Sequence, residues 1–277
     1  MSHIVTFGDF QSGGSNSISL ILGPCHLESR YHARMRAEKI AEACIPAGMK
    51  FIFKASYDKA NRSSLSDTRA LGMEKGLRIL ADIKAEFGDP VLTDVHEPGH
   101  CAQAVEVCDV LQIPAFLNRQ TDLLSVAGES VRVINVKKVQ FLAPWDMFYV
   151  AATLESTGNH NIVLGERGTS FGYNTLVTDF RGLPVMSRTG CSVVFDATHS
   201  VQRPGGLVSS LGEQGGFAPV LARAACAVGV SALFIETHED PARAPSDGPN
   251  MIPIAQMTGL IAELRAFDAV SKQQMAA

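Results

Sequence analysis

Residues 192–199 read Ser-Val-Val-Phe-Asp-Ala-Thr-His, a strand-length apolar run that turns polar at once. Such unbroken Val, Ile, Leu and Phe content is what a strand buried on both faces requires, as in a parallel sheet covered by helices. Seven other runs have the same form: Ile18-Ser-Leu-Ile-Leu-Gly-Pro24, Lys50-Phe-Ile-Phe-Lys-Ala-Ser56, Pro90-Val-Leu-Thr-Asp-Val-His96, Val110-Leu-Gln-Ile-Pro-Ala-Phe116, 131–138 (VRVINVKK), Asn161-Ile-Val-Leu-Gly-Glu-Arg-Gly168 and Ala232-Leu-Phe-Ile-Glu-Thr-His238. Between them lie segments with helical patterning, among them 31–47, 72–87, 99–108 and 216–228, several ending near a glycine suited to a C-cap. Eight alternations of strand and helix predict a closed (β/α)₈ TIM barrel; an open doubly wound sheet would stop sooner and carry a G-x-G-x-x-G turn, which is missing.

The chain's 277 residues suit one such barrel, and we expect a single domain over 1–277. Upstream of the first barrel strand, I-V-T-F-G and then Q-S-G-G-S-N-S read as an extra strand and turn, a short N-terminal β-hairpin closing the barrel's bottom. Composition is that of a globule with a large core: 46% hydrophobic, 19% charged. A formal net charge of -4 without blocks of like charge argues against nucleic acid or a membrane surface as partner. The opening residues carry no basic region leading into an apolar stretch, and no run reaches spanning length, so a cytoplasmic protein is expected. Six scattered cysteines predict reduced thiols.

Barrel enzymes build their sites at the C-terminal ends of the strands. Every run here ends in polar chemistry: Cys25; Lys54 and Ser56; Asp94 and His96; Gln112 with Arg119 beyond; Lys137 and Lys138; Glu166 and Arg167; Asp196 and His199; Glu236 and His238. Any one of these could be a solvated charge or a satisfied core residue, but eight together favour a site. The cations Lys54, Lys59, Arg62, Arg119, Lys137 and Arg167 outnumber the needs of one carboxylate and suit phosphate oxygens. Cys25, His199, Glu236 and Asp247 suit a divalent metal, with zinc, iron, manganese and cobalt all open. Barrel closure would bring them together. Taken alone, Cys25 reads as a small buried residue and His199 as a core histidine.

The runs G23-P-C-H-L-E-S29, F53-K-A-S-Y-D-K-A-N-R-S-S64, T93-D-V-H-E97, Q112-I-P-A-F-L-N-R-Q-T-D122, N135-V-K-K138, E166-R-G-T-S-F-G-Y-N174, F195-D-A-T-H-S200 and F234-I-E-T-H238 closely resemble the 3-deoxy-D-manno-octulosonate 8-phosphate synthase family over nearly the whole chain. The resemblance implies a (β/α)₈ barrel joining phosphoenolpyruvate to arabinose 5-phosphate with release of phosphate, for the inner sugar of lipopolysaccharide. The related synthases that take erythrose 4-phosphate typically carry K-P-R-[ST] where this chain has Lys59-Ala-Asn-Arg-Ser-Ser64. Cys25, in place of the Asn of the metal-independent class, implies the metal-dependent class, with His199, Glu236 and Asp247 as the other ligands. Lys54, Lys137 and Arg167 would hold phosphoenolpyruvate. Lys59 would lie between the substrates, and Asn61, Arg62 and Ser63 on the pentose phosphate. Asp94, Gln112 and Gln140 complete the substrate-binding set. His199, Asp247 and Lys59 are the catalytic candidates, the first two as proton carriers. Arg119 would reach the site from a neighbouring subunit of a homotetramer. Two stretches depart from the family pattern: 65–72 lacks H-S-[YF]-R-G, and the loop 207–217 differs from the usual form.

Rival readings have their own signals. Gly168-Thr-Ser170-Phe-Gly172 matches the G-x-S-x-G elbow of serine hydrolases and is followed by Asp196 and His199, although Tyr173-Asn174 continues a loop where a helix is needed. Lys137 could serve a Schiff-base aldolase. A catalytically dead sugar-phosphate binder is opposed by the intact ligand quartet. The sequon Asn61-Arg62-Ser63 is incidental without a secretion signal.

Overall fold

The computed structural model describes residues 4–60, 69–130, 132–173, 175–203 and 215–276. A hairpin of β1 (Val5–Phe7) and β2 (Phe10–Ser12) precedes eight parallel strands: β3 (Ser19–Gly23), β4 (Phe51–Lys54), β5 (Val91–Asp94), β6 (Val110–Ile113), β7 (Val133–Lys137), β8 (Ile162–Glu166), β9 (Ser192–Asp196) and β10 (Ala232–His238). Each pairs with the next, and β10 pairs with both β9 and β3, which closes the barrel. The helices between and after them are α1 (Arg30–Cys44), α2 (Met73–Phe87), α3 (Pro98–Ala104), α4 (Thr121–Glu129), α5 (Met147–Glu155), α6 (Gly182–Ser187), α7 (Ala218–Val228) and α8 (Met257–Ala276). Ser29 caps α1 by accepting from the His32 N–H at 3.1 Å, and Gly88 and Gly229 end α2 and α7 in left-handed backbone.

Two-residue alternation along each strand divides the core into two layers. Leu20, Leu22, Phe53, Leu111, Ile134, Leu164, Phe195 and Ile235 face outward against the helices. Ile21, Ile52, Leu92, Val110, Val133, Val163, Val194, Ala232 and Phe234 fill the lumen, where Val5, Phe7 and Phe10 of the hairpin join them. The hairpin therefore plugs the N-terminal end, as its sequence predicts. It is fastened there by Ser12 Oγ donating to the Ser231 carbonyl at 2.7 Å and by Ser19 Oγ donating to Ser12 Oγ at 2.9 Å. With that end stoppered, the polar strand ends lie at the opposite, C-terminal end of the barrel.

One element has no counterpart in the apolar runs. A two-residue strand, β11 (Ile252–Pro253), adds to β10 beyond the barrel, and Thr237 Oγ1 donates to the Ile252 carbonyl at 2.7 Å. It anchors the far end of the loop that carries Asp247. Among the described residues no helix is long and apolar enough to cross a membrane.

Candidate active site

Continuing the inward phase past the apolar layer places Lys54, Asp94, Gln112, Asn135, Lys137, Asp196 and Glu236 at the lumen's mouth, all buried. Their side chains bond to one another across strands. Lys54 Nζ donates to Glu236 Oε1 and to the Cys25 carbonyl, each at 2.7 Å, and lies 3.9 Å from Asp94 Oδ2. Ser56 Oγ donates to Asp94 Oδ2, Gln112 Nε2 to Asp94 Oδ1 at 2.7 Å, and Asn135 Nδ2 to Gln112 Oε1 at 2.8 Å. On the opposite wall Lys137 Nζ pairs with Asp196 Oδ2 at 2.5 Å and sits 3.4 Å from the centroid of the Phe234 ring. Arg167 donates through Nη2 to Gln202 Oε1, while its Nη1, also buried, has no partner among the described residues. Gln140 is buried, and its Oε1 likewise has no partner among the described residues. A buried guanidinium with a donor unused among the described residues is suited to an anion.

Cys25, Glu236 and Asp247 offer ligand atoms that all lie within 4.8 Å of one another. Cys25 Sγ donates to Asp247 Oδ2 at 3.0 Å, and Lys59 Nζ bonds both Asp247 Oδ2 and Cys25 Sγ, the latter at 3.1 Å. His199, the fourth residue expected of the set, lies outside that group and touches only its edge. Its Nε2 is 3.7 Å from Glu236 Oε2, and its Nδ1 is held by Asp196 at 2.8 Å. A carboxylate on the far nitrogen of an imidazole is the arrangement that orients a metal-ligating histidine. Glu236 Oε2 is buried without a hydrogen-bond partner among the described residues, and Asp247 adopts left-handed backbone (φ 54°) that a non-glycine residue rarely takes. A soft thiolate, an imidazole and two carboxylates with an orphaned oxygen fit a divalent cation.

Charge balance is set by burial working against these pairs. Burial pushes the Cys25 thiol up to about 12, with Glu236 adding to it. Burial would also raise Asp94, but Lys54 and Lys137 outweigh it and bring the carboxyl to about 2. Asp196 and Asp247 likewise stay well below the carboxylate range despite burial, the first through His199 and Lys137 and the second through Lys59 and His199. Lys54 and Lys59 are raised, since their carboxylate and thiolate neighbours exceed the desolvation that would lower them.

Not every polar strand end points here. Lys138 and Glu166 face outward behind the barrel wall and pair with each other. His96 stacks edge-on against Tyr57, and His238 turns to Glu28 at 3.0 Å. Arg119 is exposed on the loop after β6. Asn61, Arg62 and Ser63 lie outside the described residues, as does most of the two stretches, 65–72 and 207–217, that depart from the family pattern. The hydrolase elbow is not built: Ser170 is exposed, no helix begins until Gly182, and Asp196 engages Lys137 and His199. Two contributors escaped the reading of strand ends. Phe234, the ring beneath Lys137, could have been found by counting two back from Glu236. Gln202 bridges Arg167 to Asp247, donating to Asp247 Oδ1 at 3.0 Å, and sits in a loop without periodicity to flag it.

The family model described as DAHP synthetase I family matches residues 3–269. This chain belongs to the DAHP synthetase I family. It is similar to proteins named 2-dehydro-3-deoxyphosphooctonate aldolase. The one from Granulibacter bethesdensis is 59% identical over 98% of this chain and 96% of its own length. That from Agrobacterium fabrum is 57% identical over 97% and 96%, and that from Brucella ovis 54% over 97% of each. Membership agrees with the barrel and with the placement of the polar residues at one end of it.

Proposed function

We propose that this family member is an enzyme that condenses phosphoenolpyruvate with D-arabinose 5-phosphate and water, giving 3-deoxy-D-manno-octulosonate 8-phosphate and phosphate. Its product is the compound in the printed name of its relatives. The observation that carries the reading is the buried Arg167, whose Nη1 has no partner among the described residues and which Gln202 links to Asp247 of the Cys25–Glu236–Asp247 cluster. One half of the mouth receives an anion and the other a polarised oxygen.

The enol carbon of phosphoenolpyruvate is a weak nucleophile, so the protein must hold two mutually repelling anions at bonding distance. Lys137, Arg167 and Lys54 take the phosphate and carboxylate of phosphoenolpyruvate. Lys59 lies between the substrates, and Asn61, Arg62 and Ser63 bind the pentose phosphate. Asp94, Gln112 and Gln140 fix the orientation of the bound molecules. The methylene carbon of phosphoenolpyruvate bonds to the aldehyde carbon, and the aldehyde oxygen takes up a proton. Water adds through its oxygen to the neighbouring, phosphate-bearing carbon and gives up its protons, and the C–O bond to phosphate breaks as that carbon becomes the ketone. His199 and Asp247, paired with Asp196 and Lys59, would move those protons. Cys25, His199, Glu236 and Asp247 would hold a divalent metal (zinc, iron, manganese or cobalt), which supplies Lewis-acid orientation of an oxygen.

The reading includes a homotetramer with Arg119 contributed across a subunit boundary. Arg119 is solvent-facing, and exposed Phe116, Phe141, Trp145, Phe148, Tyr149 and Phe171 cluster on the loops and helix that follow β6, β7 and β8. The enzyme would act in the cytoplasm, in lipopolysaccharide assembly. A Schiff base on Lys137 is disfavoured by its ion pair with Asp196. The test is phosphate release from phosphoenolpyruvate with arabinose 5-phosphate or erythrose 4-phosphate, with and without chelator. Preference for the pentose and loss of rate with chelator are expected. Preference for erythrose 4-phosphate overturns the substrate, and a chelator-insensitive enzyme with fully active Cys25→Asn overturns the metal.

A further inference from the structure

Adjacent strands β7 and β8 end in two doublets, Lys137-Lys138 and Glu166-Arg167. Alternation sends one member of each inward and the other outward. The inward members form the anion-binding pair. Behind the wall, Lys138 is fully buried and Glu166 nearly so. Glu166 Oε2 lies 3.5 Å from Lys138 Nζ, and its Oε1 accepts from the Gly168 N–H at 2.6 Å. Lys138 Nζ donates to the Leu142 carbonyl at 3.2 Å and to that of Gly168 at 3.5 Å. The Lys138 N–H extends the ladder between the strands by donating to the Gly165 carbonyl at 2.7 Å.

Two charges buried in this way cost more than apolar side chains of the same volume, so stability alone does not account for them. Burial pushes Lys138 below and Glu166 above its usual value, which is the direction of a pair held against desolvation. What the pair grips is the backbone flanking the two inward cations. Gly168 follows Arg167 and is held at both its N–H and its carbonyl, while Leu142 lies on the loop that leaves Lys137.

We propose that the Lys138–Glu166 ion pair is a positioning device for the phosphoenolpyruvate half of the site, fixing from outside the spacing at which Lys137 and Arg167 meet the anion. The inference rests on the proposed function. Losing the pair would loosen phosphoenolpyruvate and leave the pentose phosphate, which belongs to the loop at 59–64, unaffected.

The variants are Glu166→Gln, Lys138→Met and the double K138M/E166L, in which no buried charge is left unpaired. The expected result is a rise of about tenfold or more in KM for phosphoenolpyruvate. Its calorimetric Kd should rise in parallel, with KM for arabinose 5-phosphate within about twofold of wild type. A folded double variant with lower melting temperature but both KM values unchanged overturns the proposal, since that is what a merely structural pair would give. Should the double variant not fold, Glu166→Gln decides, because it retains the acceptor for Gly168. A raised Kd for phosphoenolpyruvate supports the proposal and an unchanged one overturns it. Failure of the activity reading itself would appear in the wild-type protein, as no binding of phosphoenolpyruvate and no phosphate release.

Discussion

A thiol that keeps its proton up to about 12 is a poor ligand until a cation replaces that proton, and Cys25 is such a thiol. Loading zinc at pH 7 should therefore release about one proton per chain. Calorimetry in buffers of different ionisation enthalpy reads that release directly. Binding without it contradicts a Cys25 ligand. Asp196 serves both His199 and Lys137, so Asp196→Asn should lower kcat by about 10- to 100-fold while the fold persists, measured with circular dichroism as control. Asp94 supplies a pH test. Its folded-state value of about 2 lies below the ordinary 3.8, so its contribution is present above about pH 4 and lost as pH falls through about 2. Buried as it is, that contribution is of order 2 kcal/mol. Denaturant unfolding at pH 5 and pH 3 should cost the wild type more than Asp94→Asn between the two pH values; equal losses would contradict the assignment.

At the scale of elements, the eight barrel strands were legible because each is buried on both faces and so reads as an unbroken apolar run. The hairpin's existence was legible from β-rich residues, but its turn was misplaced: it is Gly8-Asp9, and the Gly/Ser-rich stretch read as the turn begins within β2. Which half of a polar doublet faces the lumen was less plain. Lys137 and Lys138 look alike in a chain of letters, and only the phase set by Val133 separates a site cation from one behind the wall. The Asp247 loop owes its place to β11, a strand too short to carry a pattern, and Gln202 to a turn without one. Gly23 is required by close approach, since a Cβ there would fall 1.9 Å from the Lys54 carbonyl oxygen. Gly23→Ala should thus part β3 from β4 beside Cys25 and abolish soluble, folded protein; normal expression and melting would contradict the packing. Phe7→Ala unplugs the barrel floor and should destabilise by about 3–5 kcal/mol in denaturant titration while leaving KM values unchanged.

Across the whole molecule, the barrel separates tasks by height: an apolar floor closed by the hairpin, an apolar middle, and a mouth that carries the buried cations Lys54, Lys137 and Arg167 and the Cys25–Glu236–Asp247 cluster. In the proposed homotetramer Arg119 would reach the pentose phosphate of a neighbouring copy, so Arg119→Ala should raise KM for the pentose phosphate without changing the oligomeric mass measured by light scattering. The most direct test of the account is mass spectrometry of the product formed from phosphoenolpyruvate and arabinose 5-phosphate, with released phosphate measured in parallel. The account predicts an eight-carbon keto-sugar acid phosphate formed in step with phosphate. Phosphate without that product, or neither, would contradict it.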